Sequence, residues 1–524
     1  MILLNNYMGG KMKIERTKNA TKNIIYGLVL KIYQIIVPFL MRTAMIYLLG
    51  VEYLGLNSLF TSILSVLNLV ELGVGSAMVF SMYKPIVDDD KVKICALMKL
   101  FKIYYRIIGV VILVIGLIIC PFIPKLIKSG VPADMNVYVL YILNLLATVF
   151  SYWLFGYKNC LLSAHQRIDV TSKVTLYVNT VQYIIQFVLL FIFKNYYLYV
   201  ITLLLGQIGI NIVTALVVTK MYPEYNASGE LSESERKQIN GRVKDLFTSK
   251  IGSVIVNSAD SIVISSFLGL TMLAIYQNYY YIITAIIATV AVIFNSCTAG
   301  IGNSIIVETN EKNYNDLKKF TFMIAWIAGF CSCALLCLFQ PFMKLWVGKN
   351  LLLDYPCVIC LVLYYFIYEI NQLLNLYKDA SGIWHKDRFR PLVTAITNLI
   401  LNVILVNYIG IYGVLLSTVI SMLTVGMPWI IHNLFSEIFK NLNPKEYILK
   451  LIKYFIATVI VATLTYYVCH FIQGETIISL IFRGIVCFVV SNTLFYVIYR
   501  KTKEMNDSKA LLNKILKLKN KRLS

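Results

Sequence analysis

The 524-residue sequence predicts an all-α integral membrane protein of fourteen transmembrane helices, arranged as two six-helix lobes around a central cavity plus a C-terminal helix pair. Three observations carry that prediction. The chain is 59% hydrophobic and only 14% charged, with mean hydropathy +0.73, where soluble domains carry about 25% charged residues. Its apolar residues fall in runs long enough to cross the hydrocarbon, which takes about 20 residues of helix. Its basic residues gather in alternate connections between those runs, as membrane topology requires. The formal net charge of +22 is therefore read as topology. A nucleic-acid surface would cluster that charge on one soluble face, so nucleic acid is excluded as a partner.

Split at polar and Gly/Pro punctuation, the apolar runs lie at 24–49, 54–82, 103–124, 137–157, 174–193, 197–219, 247–268, 272–303, 320–343, 356–377, 391–408, 411–435, 451–470 and 476–499. With the N-terminus in the cytoplasm, most of the 48 Lys and Arg residues fall inside. They occupy Lys11–Lys22, Lys84–Lys102, Lys158–Lys173, Lys220–Lys250, Lys312–Lys319, Lys378–Arg390, Lys440–Lys453 and the tail from Arg500. The outer connections hold only Lys125, Lys128, Lys194, Lys344 and Lys349. Both termini are thus expected to be cytoplasmic in a bacterial plasma membrane. The expected divisions are 1–23, a cytoplasmic N-terminus; 24–221, an N-lobe of spans one to six; and 222–246, a cytoplasmic loop. They continue with 247–436, a C-lobe of spans seven to twelve; 447–500, spans thirteen and fourteen; and 501–524, a basic tail. Within that tail Lys509–Arg522 has the pattern of an amphipathic helix on an anionic leaflet.

Several classes fall away. The first apolar run is too long for a signal peptide, and Gly9-Gly10-Lys11 before Met12 suggests initiation at Met12. The eleven cysteines lie mostly inside apolar runs, where Cys acts as a small hydrophobe. The four histidines are far apart, so no metal site is expected. The sequence contains no phosphate-loop, nucleophile-elbow or zinc-protease motif and no large outer loop, so it reads as a transporter rather than an enzyme. No cofactor is expected, and transport would draw on H⁺, Na⁺, membrane potential or substrate gradient.

Internal symmetry is faint. Gly73-Val-Gly-Ser-Ala-Met-Val79 ends span two as Gly300-Ile-Gly-Asn-Ser-Ile-Ile306 ends span eight, and Leu49-Gly50 is echoed by Leu268-Gly269. Six spans separate each pair, the signature of parallel repeats. Gly73, Gly75, Gly300 and Gly302 are read as hinge or close-packing positions.

Charges inside spans mark the candidate site, because each costs about 2.5–3.5 kcal/mol at mid-bilayer on insertion scales. Arg106 is one turn from the edge and can snorkel. Lys31 and Glu71, on adjacent antiparallel spans, could form a structural salt bridge or a substrate-lining pair. Arg42 lies roughly 9 Å outward of centre with no acid in its own span. Arg483 has similar depth in span fourteen, where snorkelling to outer headgroups competes with a cavity role. Asp260, in Asn257-Ser-Ala-Asp-Ser261, and Glu369, in Tyr368-Glu-Ile-Asn-Gln372, are candidate H⁺ or Na⁺ coupling carboxylates. A cavity of Arg and Lys suits a phosphate-bearing polyanion. The candidate cavity residues are therefore Arg42, Lys31, Glu71, Asp260, Glu369 and Arg483.

The motifs Arg42-Thr…Tyr47-Leu-Leu-Gly-Val-Glu-Tyr-Leu-Gly-Leu-Asn57 and Glu71-Leu-Gly-Val-Gly-Ser-Ala-Met-Val-Phe-Ser-Met-Tyr-Lys-Pro85 resemble the Wzx-type polysaccharide transporters. So do Asn257–Ser261, Tyr276-Gln-Asn-Tyr-Tyr280 and Asp379-Ala-Ser-Gly…Lys386-Asp-Arg-Phe-Arg-Pro391. These transporters belong to the multidrug/oligosaccharidyl-lipid/polysaccharide exporter superfamily. The final helix pair resembles the fourteen-span lipid II flippases. The resemblance implies a substrate of undecaprenyl-diphosphate-linked oligosaccharide, flipped outward by alternating access for capsule, O-antigen or exopolysaccharide synthesis. It implies membrane lipids, a polysaccharide polymerase and glycosyltransferases as partners, and two internal lobes make a monomer sufficient. Arg42 carries over as the diphosphate contact and Asp260 as a lumen carboxylate. A multidrug/toxin extruder of the same fold and a lipid II flippase remain alternatives.

Overall fold

The computed structural model describes residues 16–128, 131–132 and 134–510. Met12 and residues 511–522 of the expected amphipathic tail lie outside them. Among the described residues every regular element is helical. Twelve helices among the described residues are long and apolar enough to cross a membrane, or thirteen if Val137–Trp153 and Gly156–Ala164, bent by 47°, form one span. The stretch expected to cross at 247–268 is helical and forms the C-terminal part of a longer helix, Glu233–Leu268.

The chain divides into two compact units. The first takes residues 1–53, 63–125 and 131–247; the second takes 54–62, 126–130 and 248–524. The first unit is built on α1 (Arg16–Leu48), the two ends of α2 (Val51–Leu67), α3 (Val74–Val87), α4 (Lys91–Ile119), α5 (Val137–Trp153), α6 (Asn159–Ala164), α7 (Ile168–Phe193) and α8 (Tyr196–Met221). Helix α1 packs on α7, α7 on α8, α5 on α8 and α4 on α5. Local sequence sets the ends. Asn136 caps α5 and Asn195 caps α8, each side-chain oxygen accepting two first-turn amides.

Helix α9 (Glu233–Leu268) leads into the second unit, which continues with α10 (Leu270–Val307), α11 (Asn310–Val347), α12 (Tyr355–Ser381), α13 (Trp384–Asp387) and α14 (Arg390–Ile409). It is completed by α15 (Ile411–Ser421), α16 (Met427–Glu437), α17 (Pro444–His470) and α18 (Ile477–Tyr499). Here α11 is the hub, packed on α12, α17 and α18, while α14 pairs with α15. Most outward residues of α17 and α18, such as Ile456, Ile460, Phe482 and Phe488, are exposed apolar side chains. A helix hydrophobic on its outer face belongs in lipid rather than water.

Candidate functional site

In the first unit the second expected span is broken. Helix α2 ends at Leu67, Asn68–Glu71 form a 3₁₀ turn, and Gly73 adopts φ +90° before α3 begins. The break leaves amides at the start of α3 without helical partners. Glu71 serves one of them: its Oε1 accepts from the Gly75 amide at 3.3 Å and from the Tyr105 hydroxyl at 3.4 Å. A carboxylate there also faces the positive end of the helix dipole. The same Glu71 borders a cavity of about 250 Å³ that also takes in Tyr152, Asn211 and Thr214. Irregular backbone at membrane depth is tolerated only where protein or a wet cavity surrounds it. The Glu71 partners named above do not include Lys31, which lies on an exposed face of α1.

Arg42 lies farther along α1, half-buried, with its charge acting on the Tyr199 hydroxyl of α8. Nine residues earlier, α1 is held to α7 by the Thr180 hydroxyl, which donates to the Tyr33 hydroxyl at 3.0 Å. Arg106 is exposed on α4.

In the second unit Asp260 is the centre of a polar network spread over three helices. Asn402 Nδ2 donates to Asp260 Oδ1 at 2.7 Å, and the Thr418 hydroxyl donates to Oδ2 at 3.2 Å. Asn398 donates to Thr418 at 2.9 Å, and Ser417 donates to Asn402 Oδ1. Asn398, Asn402, Ser417 and Thr418 are all buried. The carboxylate accepts on both oxygens. Sequence reasoning singled out Asp260 and missed these partners. The signal was present: Asn398 and Asn402, spaced i and i+4 in an apolar span, share a helix face.

Glu369 of α12 is 1% exposed, and neither carboxylate oxygen has a hydrogen-bond partner among the described residues. Tyr365 and Cys331 are its electrostatic neighbours. Arg483 of α18 donates Nε to the Ile472 carbonyl at 3.0 Å, in a pocket built from second-unit helices.

Gly300 and Gly302 lie within the unbroken helix α10. A Cβ on Gly300 would meet nothing within 4 Å, and one on Gly302 would lie 3.1 Å from the Ala380 carbonyl oxygen.

The basic run Lys386–Arg390 resolves into separate roles. Arg390 grips Asp387 with Nε at 2.7 Å and Nη2 at 2.8 Å, and Nη2 also donates to Asn375 at 2.8 Å. Asn433 adds a donor to Asp387 at 3.0 Å. Both charged residues are buried, so this is a clamp on the α13–α14 connection, whereas Lys386 is exposed and pairs with Glu437.

Comparison with solved structures follows from this architecture. The chain superposes on lipid II flippase MurJ in an inward closed conformation with TM-score 0.66, at 15% identity, covering 91% of this chain and 99% of that one. An inward-facing multidrug resistance MATE transporter of the MOP superfamily matches with TM-score 0.60, 16% identity, and 77% and 97% coverage. A MOP superfamily transporter from Pyrococcus furiosus, described by a reverse polarity of its binding pocket, matches at 0.51 and 14% identity, with 82% and 98% coverage. The chain has the fold that these solved structures share. The three solved structures are a flippase and two transporters by description, and the described residues of this chain hold twelve helices long and apolar enough to cross a membrane. No protein-family profile matches it, and no curated protein sequence does.

Proposed function

We propose that this chain is a flippase for undecaprenyl-diphosphate-linked oligosaccharide repeat units. It turns them from the cytoplasmic to the outer leaflet of a bacterial plasma membrane by alternating access, for capsule, O-antigen or exopolysaccharide synthesis. The observation that carries the reading is the likeness to MurJ over 91% of this chain and 99% of that one. The position of Arg42 supports it. A half-buried guanidinium within a span suits a diphosphate, which it can grip through two parallel hydrogen bonds. The same charge disfavours a cationic drug, the substrate that the MATE likeness would suggest.

In this reading Lys31 and Glu71 flank the substrate path on the cytoplasmic side of Arg42. Asp260, with its amide and hydroxyl neighbours, is the coupling carboxylate for H⁺ or Na⁺, and Glu369 is a second ionisable position in the same unit. Polysaccharide polymerase and glycosyltransferases act after and before the flip. The MurJ likeness favours one second reading, lipid II itself as the substrate.

Reconstituted protein separates these readings. Proteoliposomes carrying a fluorescent undecaprenyl-diphosphate oligosaccharide are treated with an impermeant quencher. The expected result is protein-dependent exposure of the headgroup, reduced at least tenfold by Arg42→Ala. A fluorescent lipid II run in parallel decides the second reading. Wild-type rates with Arg42→Ala would refute the assignment of Arg42.

A further inference from the structure

The C-terminal pair carries a cavity of its own. A space of about 360 Å³ lies where the ends of α11, α12, α17 and α18 meet, entirely within the second unit. Its wall bears three basic side chains, Lys344, His470 and Arg483, and one acid, Glu475. The Tyr355 and Tyr466 rings, 5.1 Å apart, form an aromatic side.

The charges in this pocket do not balance. Glu475 is shared by two ammonium groups: Lys344 forms an ion pair with it, and Lys349 stands at 3.9 Å. Lys344 holds the Glu475 carboxyl below the usual carboxylate range, so it stays ionised at neutral pH. Arg483 turns two of its N–H groups to the neutral carbonyl of Ile472. A guanidinium has five N–H donors, so three remain to serve a ligand. Among the described residues no carboxylate lies within ion-pair distance of Arg483. A half-buried cation in a low-dielectric wall attracts an anion strongly.

Depth identifies the anion. Arg483 lies six residues past the start of α18, about 9 Å inside the end of the helix, and its guanidinium reaches outward to the Ile472 carbonyl in the α17–α18 connection, toward the level of lipid headgroups. By the distribution of basic residues this is the outer end of the bundle. We propose that the pocket binds the phosphate ester headgroup of an anionic lipid in that leaflet. Arg483 is the main phosphate contact, Lys344 the second, and Glu475 an internal anion that competes with the ligand. The tyrosine side accommodates the apolar part next to the phosphate. A resident phospholipid and a polyprenyl phosphate carrier offer the same chemistry. The site rests on the orientation read from the sequence and does not depend on which headgroup the protein flips.

Native mass spectrometry of the full-length protein tests it, comparing retention of phosphatidylglycerol with phosphatidylcholine of the same acyl chains. The wild type is expected to prefer phosphatidylglycerol at least tenfold, and Arg483→Gln to abolish that preference. Glu475→Gln releases Lys344 and Lys349 and is expected to raise retention severalfold, a gain that misfolding cannot imitate. Arg106→Gln, in the first unit, is expected to match the wild type. Displacement of phosphatidylglycerol by farnesyl diphosphate would assign the pocket to the carrier lipid, and no displacement would assign it to the phospholipid. Equal retention of the two phospholipids by the wild type overturns the proposal. So does the absence of a gain in Glu475→Gln, whatever Arg483→Gln does.

Discussion

Gly73 and Gly300 hold matching places in the two sequence repeats, yet the structure predicts opposite results for the same substitution. At Gly73 the backbone is left-handed, with φ +90°, which costs an L-residue about 1–2 kcal/mol. An added Cβ would also lie 2.6 Å from Leu246 Cβ, 3.2 Å from the Val243 carbonyl oxygen and 3.3 Å from the Phe247 amide. Two of these three atoms are backbone and cannot rotate away. Overpacking of that kind costs about 1–3 kcal/mol, so Gly73→Ala should destabilise the first unit by about 2–5 kcal/mol in all. For a unit of roughly 200 residues that corresponds to roughly 4–20 °C in melting temperature.

At Gly300 the backbone is helical within α10, and the added methyl would meet no atom within 4 Å. Exchanging Gly for Ala inside a helix stabilises it by about 0.5–1 kcal/mol. The assay is thermal unfolding of both purified variants at one fixed scan rate, since large proteins often unfold irreversibly. Flipping in proteoliposomes is measured alongside. Gly73→Ala should melt lower, and Gly300→Ala should match or exceed the wild type while retaining transport. Equal losses for the two variants would refute the reasoning and restore Gly300 as a hinge.

Three further outcomes follow from the second unit. Asp387→Ala leaves Arg390 buried without its main counter-charge and should cost about 3–5 kcal/mol, read by thermal unfolding. Lys386→Ala, on an exposed pair, should stay within about 0.5 kcal/mol of wild type. Asp260→Asn keeps the shape of the polar network but removes its charge, so the protein should fold while flipping loses its response to imposed H⁺ or Na⁺ gradients. Glu369→Gln should melt at or above the wild-type temperature, because burying an ionisable group without a hydrogen bond is unfavourable. A lower melting temperature would mean that the fold depends on that charge.

Much of the fold was legible because lipid imposes a simple rule on sequence. A helix that crosses must be apolar for about 20 residues, and most expected spans have a helix at their place. The fourth expected span bends after Trp153, where Phe155 takes φ 61°, and hydropathy carries no trace of a backbone angle. The seventh is helical as expected but forms the C-terminal part of Glu233–Leu268, because helix formation does not stop where hydropathy does. For the site, the sequence disclosed which residues are out of place in lipid but not what they touch. Asp260 meets Asn402 and Thr418 across 142 and 158 residues of chain, a distance that no local pattern reports. Arg390 read as one more topological charge because its partner, three residues earlier, sits in a basic run that masks it.

The two units nevertheless repeat more in geometry than in sequence. Gly50 and Gly269, one of the two echoes in the sequence, stand just before α2 and α10 with φ +124° and +94°. Both conformations favour glycine, which explains why that echo survived. A further echo is invisible in the letters. At the start of α7, Asp169 is held by Arg167 at 2.9 and 3.3 Å and by Lys173 at 3.6 Å, while Asn23 accepts from its amide at 2.8 Å. Before α14, Asp387 is held by Arg390 and by Lys378 at 3.8 Å, with Asn433 donating to it. Each clamp is a buried aspartate with one arginine fork, one lysine and one asparagine. Each sits at the expected fifth or eleventh span, six spans apart. The order of Asp and Arg along the chain is reversed between them, so no alignment of residues would superpose the two. What recurs is the physical need: a connection between spans that carries buried charge must be neutralised within its own unit, whichever residue supplies the cation.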